Sequence, residues 1–315
     1  MKSIQLENLI SNSKNKLVHY LDTYSPGKVL LIFDHGYGDV VEFLDLYVTL
    51  KEAYPKWTFN IGHHRSLDYT NLHPDIIKIS ENNKEFVIPY GTSIVQNVDN
   101  VFFRYDMKAL AKKYKIVANI RYCDFRHPSS DPNSIINKSK NEMCAFVEIG
   151  WDNVNLKTHK FDFELDNKDS KQVVYHFAGH TDKSIKIPNE NIQAAIWKEI
   201  VDAGYQPFDV HINSSSNIVF SKVPLPSYID EKYSIRNKPM HPDLLLDVVK
   251  KSKYCVGVLS GPLHLCNRVY GSENCFGVQG QFKIANYISS PTPMEHIDIA
   301  SYIPGKIYQW LKNKG

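Results

Sequence analysis

With 315 residues, 43% of them hydrophobic and 23% charged, the chain has an ordinary globular composition that buries a sizeable core and most naturally forms two domains. Its formal net charge of +3 is too mild to mark a nucleic-acid binder, yet it does not repel an anionic donor or acceptor. Five widely spaced cysteines (Cys123, Cys144, Cys255, Cys266, Cys275) without a CxxC pair argue against a disulfide framework or structural zinc. Apolar runs no longer than Val29 to Phe33 and an amino terminus without a signal-peptide core predict a cytoplasmic protein with no transmembrane segment.

Residues 3–24 place Leu6, Leu9, Ile10, Leu17, Val18 and Leu21 at helical spacing, and Tyr24-Ser25-Pro26-Gly27 ends that helix. Lys28 to Phe33 is a continuous apolar run with β-branched members, the pattern of a strand buried on both faces of a parallel sheet. After Asp34-His35-Gly36-Tyr37-Gly38-Asp39, the residues Val40, Phe43, Leu44, Tyr47 and Val48 share one helical face until Tyr54-Pro55. Gly36-Tyr37-Gly38 lacks the third glycine of a dinucleotide fingerprint, which weighs against a dehydrogenase. Asp39 has two readings: a carboxylate capping its helix, or a base for an acceptor hydroxyl, which is a poor nucleophile until its proton is being removed.

A strand at residues 57–61 leads into Gly62-His63-His64-Arg65, expected as a loop, because adjacent histidines on an extended chain face opposite ways and make poor joint metal ligands. Short strands are expected at 86–88, 101–103 and 116–120, with helices at 107–114 and 140–149, the latter ending at Gly150. Arg121 to His127 follows its strand directly, so Arg121 and Arg126 are either acceptor contacts at the sheet edge or part of a solvated connection. Phe161-Asp162-Phe163-Glu164-Leu165-Asp166 alternates as a half-exposed strand does, and that alternation accounts for its carboxylates without a metal. The polar run from Asp166 to Lys171 is the expected hinge between residues 1–166 and 167–315.

The second half opens on a strand from Val173 into Gly179-His180, followed by a loop with Lys183 and Lys186. A helix with Ile192, Ala195, Ile196, Ile200 and Ala203 on one face then ends at Gly204. Strands at 208–212 and 218–220 and a helix opened by His241-Pro242-Asp243 deliver the chain to Lys253 to Val258. That apolar strand runs into Leu259-Ser260-Gly261-Pro262-Leu263-His264-Leu265-Cys266, a tight turn and a helix start. Free N–H groups and the positive helix end make such a turn a seat for phosphate, with His264 as a titratable donor; otherwise Ser260 is only a cap and His264 only a satisfied buried residue. A strand at 274–278 and a final helix at 303–311 complete the pass.

The turn at 259–266 resembles the nucleotide-sugar-binding segment of the heptosyltransferase-like glycosyltransferases, the family typified by enzymes that add heptose to lipopolysaccharide. Its pattern there is an apolar strand followed by Asp-Thr-Gly-Pro-Met-His-Leu-Ala. Gly261, Pro262, His264 and Leu265 match, and Leu259 replaces the leading acid, which the family associates with the donor sugar. Two further segments are similar in the same order along the chain. Gly38-Asp39-Val40 with Ala53-Tyr54-Pro55 matches the family's opening unit, and His176, Gly179, Lys183 or Lys186, and Pro188 partly match its His-Pro-Gly-Ala region.

The resemblance implies an α/β, GT-B-like architecture of two Rossmann-like domains facing a central cleft, with a final helix that packs back on the amino-terminal domain. It implies an acceptor-binding first domain, with Asp39 as catalytic base and Gly36, Tyr37 and Gly38 beside it. The second domain is implied to bind a nucleotide-diphosphate sugar through Ser260, Gly261, Pro262, His264, His176, Gly179, Lys183 and Lys186. The implied reaction is inverting, metal-independent sugar transfer without a cofactor, since helix dipole and lysines supply positive charge to the departing diphosphate. The acceptor is a glycan, a lipid-linked saccharide, a protein or a modified nucleobase. A nucleotide-dependent epimerase or dehydrogenase and a non-catalytic nucleotide-sugar-binding module are the competing readings, the latter because of Leu259.

Overall fold

The structure, a computed structural model, describes residues 17–33, 36–63, 69–79, 113–120, 151, 156–178, 187–211, 224–236, 238, 243–280, 284 and 292–315. The elements expected at 86–88, 101–103, 107–112, 140–149 and 218–220 lie outside them. The chain divides into two compact units, one made of Met1–Phe125 and Ser139–His159, the other of Arg126–Lys138 and Lys160–Gly315.

In the first unit, α1 (Leu17–Thr23) precedes β1 (Lys28–Ile32), α2 (Tyr37–Ala53), β2 (Thr58–His63), β3 (Ile76–Lys78) and β4 (Ile116–Asn119). The four strands form a parallel sheet in the order β3-β2-β1-β4, with Leu30 opposite both Asn60 and Val117. Val29 to Ile32 are all buried, as a strand covered on both faces requires. Helix α2 is buried along most of its length: Phe43 stacks on Phe33 at 4.2 Å, and the Tyr47 hydroxyl lies 2.9 Å from the Phe59 carbonyl and 2.8 Å from the Asp75 carboxylate. Tyr54 ends it because the following Pro55 disfavours further helix.

Residues 157–159 are strapped along this same helix. The Lys157 N–H donates to Thr49 Oγ1 at 2.9 Å, the His159 N–H donates to Asp45 Oδ1 at 2.7 Å, and the Lys157 ammonium pairs with Glu52. The polar face of α2 is thereby committed to holding chain.

The second unit contains β5 (Gln172–His176), α3 (Glu190–Asp202), β6 (Gln206–Asp209), α4 (Asp243–Lys251), β7 (Tyr254–Val258), α5 (Gly261–Tyr270), β8 (Cys275–Gln279), β9 (Glu295–Asp298) and α6 (Lys306–Lys312). Its five strands are parallel in the order β6-β5-β7-β8-β9. Asn189 caps α3 by accepting the Ile192 N–H at 3.0 Å, and Gly204, at φ 89°, takes the left-handed turn after it.

Helix α6 is short, and its amino end is capped from outside. The Glu199 carboxylate on α3 accepts the Ile307 and Tyr308 N–H groups at 3.0 and 3.1 Å and the Tyr302 hydroxyl at 2.5 Å. Ile307, Trp310 and Leu311 fill the second unit's core beside Tyr254 and Phe276.

Three expectations change. Phe161 to Asp166 makes no strand: the Phe161 and Phe163 rings lean together at 5.7 Å, the Lys250 ammonium lies over Phe163 at 5.4 Å, and the Asp166 N–H donates to the Lys250 carbonyl at 3.0 Å. Alternation came from rings packing on one side, with no neighbouring strand to complete a ladder. Strand β2 runs on through His63, where a loop was expected, because Ile61, Gly62 and His63 pair with β3. Strands β3 and β9 were not anticipated; three and four residues long, they are too short for a periodic signal. Among the described residues, no helix is long and apolar enough to cross a membrane.

Candidate functional site

In an open parallel sheet, ligands collect at the carboxyl ends of the strands where the winding reverses. The first sheet reverses between β1 and β4, the second between β5 and β7. Each place lies beside a segment that the sequence singles out.

In the first unit the chain leaves β1, passes Phe33 and enters α2 at Gly36. Asp39 stands in the first turn, half-buried, and its Oδ2 accepts the Gly36 N–H at 3.1 Å. Helix capping is thus part of its role, and the carboxylate is held at the mouth of the sheet by its own backbone. Gly38 is buried; the half-buried Tyr37 ring sets edge-on against Tyr69 at 5.5 Å, and Tyr69 stacks on the buried His63 ring at 4.7 Å. His63 closes this aromatic file from the end of β2. Arg121 and Arg126 lie outside the described residues.

In the second unit His176 ends β5 and pairs in register with Gly257 of β7. A Cβ on Gly257 would stand 2.7 Å from the His176 carbonyl oxygen and 3.3 Å from its Cβ, so only glycine lets these strands close up at the reversal. Gly257→Ala is expected to lower unfolding free energy by about 1–3 kcal/mol in urea titrations, since the obstructing atom is backbone. A change below the error of that titration would show that the strands are free to spread. The signal was legible, a glycine inside Cys255-Val256-Gly257-Val258, but was read only as strand.

Beyond β7, Leu259 is 7% exposed and Ser260 caps α5 in an extended conformation, φ −160° and ψ 177°. The Ser260 carbonyl accepts the Leu263 and His264 N–H groups at 3.0 and 3.2 Å, while Pro262 carries no N–H. The Ser260 hydroxyl makes no capping hydrogen bond, and its Oγ is buried without a partner among the described residues. A buried hydroxyl left so costs about 1–3 kcal/mol, a penalty that a ligand oxygen would remove. His264 is buried on the first turn of the same helix, and His176 is buried on the neighbouring strand. Lys183, Lys186 and Gly179 lie outside the described residues.

Two flanking features escaped the sequence reading. Beside β5, the Arg236 guanidinium grips Asp209 at the end of β6 with Nε and Nη2, both at 3.1 Å, and donates through Nη1 to the Pro224 carbonyl at 2.7 Å. The Ser234 hydroxyl completes the set, donating to Asp209 Oδ2 at 2.7 Å. Beyond β8, Gln279 accepts the Ile284 N–H at 2.9 Å and donates to Asp298 at 3.0 Å. Ile284 sits where Gly277 lacks a side chain, since a Cβ there would be 2.0 Å from its Cδ1. No short motif announces either arrangement, because the partners are far apart in sequence.

Cys255, Cys266 and Cys275 are fully buried between β7, β8 and α5, and burial holds the Cys266 and Cys275 thiols well above their ordinary range. They act as small apolar residues. Among the described residues, no group of three or more His, Cys, Asp or Glu side chains is arranged to hold a metal ion.

No protein-family model matches the sequence, and no curated protein does. Solved structures do. E. coli heptosyltransferase WaaC, solved with ADP, is similar at 12% identity with a TM-score of 0.55 over 91% of this chain and 100% of that one. E. coli ADP-heptose lipopolysaccharide heptosyltransferase II is similar at 12% identity with a TM-score of 0.55 over 91% and 98%. The iron-containing dodecameric glycosyltransferase TibC of enterotoxigenic E. coli is similar at 10% identity with a TM-score of 0.51 over 86% of this chain, which spans 62% of the TibC length. Parallel sheets, order of elements and these likenesses agree: the chain has the α/β, GT-B-like fold of the heptosyltransferase-like glycosyltransferases.

Proposed function

We propose that the protein is a glycosyltransferase that moves a sugar from a nucleotide-diphosphate donor to an acceptor hydroxyl, with inversion and without a metal. The observation that carries this reading is the buried Ser260 hydroxyl, without a partner among the described residues, at the start of α5 and the reversal point of the second sheet. It fits a phosphate oxygen of the donor, with the Gly261 N–H and the positive end of α5 beside it. The likeness in fold to an enzyme solved with ADP makes an ADP-linked sugar the first donor to try.

In this reading residues 167–315 hold the donor. Ser260, Gly261, Pro262 and His264 cradle the diphosphate, His176 and Gly179 flank it, and Lys183 or Lys186 offsets the charge that develops as the glycosidic bond breaks. Residues 1–166 hold the acceptor, with Asp39 taking the hydroxyl proton and Gly36, Tyr37, Gly38, Arg121 and Arg126 around it. The hydroxyl oxygen forms the new bond to the anomeric carbon on the face opposite the departing diphosphate.

Two observations favour a second reading: Asp39 already accepts the Gly36 N–H as a helix cap would, and Leu259 is apolar. Both fit a nucleotide-sugar-binding module without catalysis.

The test is a thermal-shift panel of nucleotide sugars and nicotinamide cofactors on the full chain. A donor at 100 times its Kd stabilises the folded protein by about 2.7 kcal/mol, so the melting temperature rises for one class of nucleotide sugar. A rise with NAD alone would overturn the transferase reading and return the dehydrogenase.

A further inference from the structure

Strands β7, β8 and β9 run parallel and side by side, so the ends of β8 and β9 form one flank of the edge at which the Ser260 turn lies. Register fixes what stands there. Val258 is the last residue of β7 to pair with β8, opposite Val278, so Gln279 follows at the level where Leu259 and Ser260 leave the sheet. On its other side Gln279 pairs in register with Asp298 of β9. Gln279 and Gly277 share a face of the sheet, and so does Cys275, linked through the Cys255 thiol to Cys266 of α5. That face is the one on which α5, the helix opened by Ser260, packs.

Gln279 is 4% exposed, and its amide is used in both senses: Oε1 accepts the Ile284 N–H at 2.9 Å, and Nε2 donates to Asp298 Oδ1 at 3.0 Å. Ile284 is thereby tied back to the strand it has left. Its buried side chain fills the space above Gly277, where a Cβ would stand 2.0 Å from Cδ1. The rest of β8 is Cys-Phe-Gly-Val, so packing alone does not call for an amide here. A buried amide gains little stability over an aliphatic chain of the same length, but each of its hydrogen bonds fixes a distance and an angle. Direction is what a binding site needs from the groups behind it.

We propose that Gln279 is a positioning residue of the donor site: by fastening Ile284 and Asp298 to the end of β8, it sets the flank of the Ser260 turn against which the donor is seated. The proposal rests on the donor reading of that turn, and it assigns Gln279 no contact with the donor itself.

The full-length protein is titrated with the nucleotide sugar that raises its melting temperature, at about pH 8 and about pH 5, each variant being read against the parent at the same pH. Gln279→Met keeps the length of the side chain and loses both hydrogen bonds; its donor affinity is expected to fall about tenfold or more at either pH. Gln279→Glu places a carboxylate opposite Asp298, and the repulsion raises the pH at which one of the two takes up a proton. At about pH 8 this variant is expected to bind as weakly as Gln279→Met. At about pH 5 the shared proton lets the glutamate donate to Asp298 while accepting the Ile284 N–H, and most of the lost affinity is expected to return.

Gly277→Ala reaches the same flank from below, since its methyl group displaces Ile284 Cδ1 and leaves the amide in place. It is expected to weaken donor binding as well, and it carries the test if Gln279→Met does not fold. A lower melting temperature with unchanged donor affinity in Gln279→Met would make Gln279 a brace of the fold only and overturn the proposal, as would a Gln279→Glu variant that stays weak at about pH 5. A parent stabilised by no nucleotide sugar would overturn the donor reading and this proposal with it, whereas a parent that binds while all three variants match it overturns this proposal alone.

Discussion

If Asp39 is the proposed base, Asp39→Asn is expected to leave the protein folded and able to bind its donor while sugar transfer falls by about 100- to 10,000-fold, the range that a positioned general base supplies. Asparagine nearly matches aspartate in shape, and its amide oxygen can still accept the Gly36 N–H now bonded at 3.1 Å, so the start of α2 keeps its cap. Proton acceptance is what disappears. The loss falls on kcat, with the thermal shift produced by the donor retained. Asp39→Ala separates the two duties, because it removes the cap as well and adds a stability loss of about 1 kcal/mol. Transfer that persists in Asp39→Asn would leave the carboxylate with its capping role alone and place the base elsewhere.

Asp209→Ala is expected to cost about 3–5 kcal/mol, the largest stability loss predicted for a single substitution in the second unit. Side-chain exposure of Arg236 is 6% and of Asp209 1%, and the guanidinium makes both of its ion-pair hydrogen bonds to this one carboxylate. Deleting the acid removes the carboxylate that the buried guanidinium grips and leaves the Ser234 hydroxyl without that acceptor. Replacing both ends with apolar residues of similar volume, Asp209→Leu with Arg236→Met, is expected to recover most of the loss, because no charge then remains buried. Urea unfolding of the two variants measures this; equal losses in the single and double variants would mean that packing, and not charge, carries the site.

Much of the scaffold was legible because buried parallel strands leave an uninterrupted apolar run. Lys28 to Phe33, Val173 to Phe177 and Tyr254 to Val258 each read as strands and fold as such, and Gly204 marked the end of its helix through cap chemistry. The Ser260 turn was legible for the same reason, being one contiguous strand-turn-helix. Phe161 to Asp166 misled because alternation records which side of an extended chain is covered, and rings packing under Lys250 cover one side as well as a sheet does.

By itself the sequence determined the parts whose causes are local: strands from continuous apolar runs, helix ends from caps and prolines, and a turn with serine, glycine and proline where a strand meets a helix. Only the tertiary structure decided that Gly257 must be glycine to pass the His176 carbonyl, that Glu199 caps a helix more than a hundred residues away, and that Arg236 neutralises Asp209. It also decided that the Ser260 hydroxyl is buried without a partner among the described residues. The reason is physical: hydrogen bonding, desolvation and close approach act between atoms a few ångströms apart, and strand order, which local sequence does not encode, chooses which distant residues those atoms belong to.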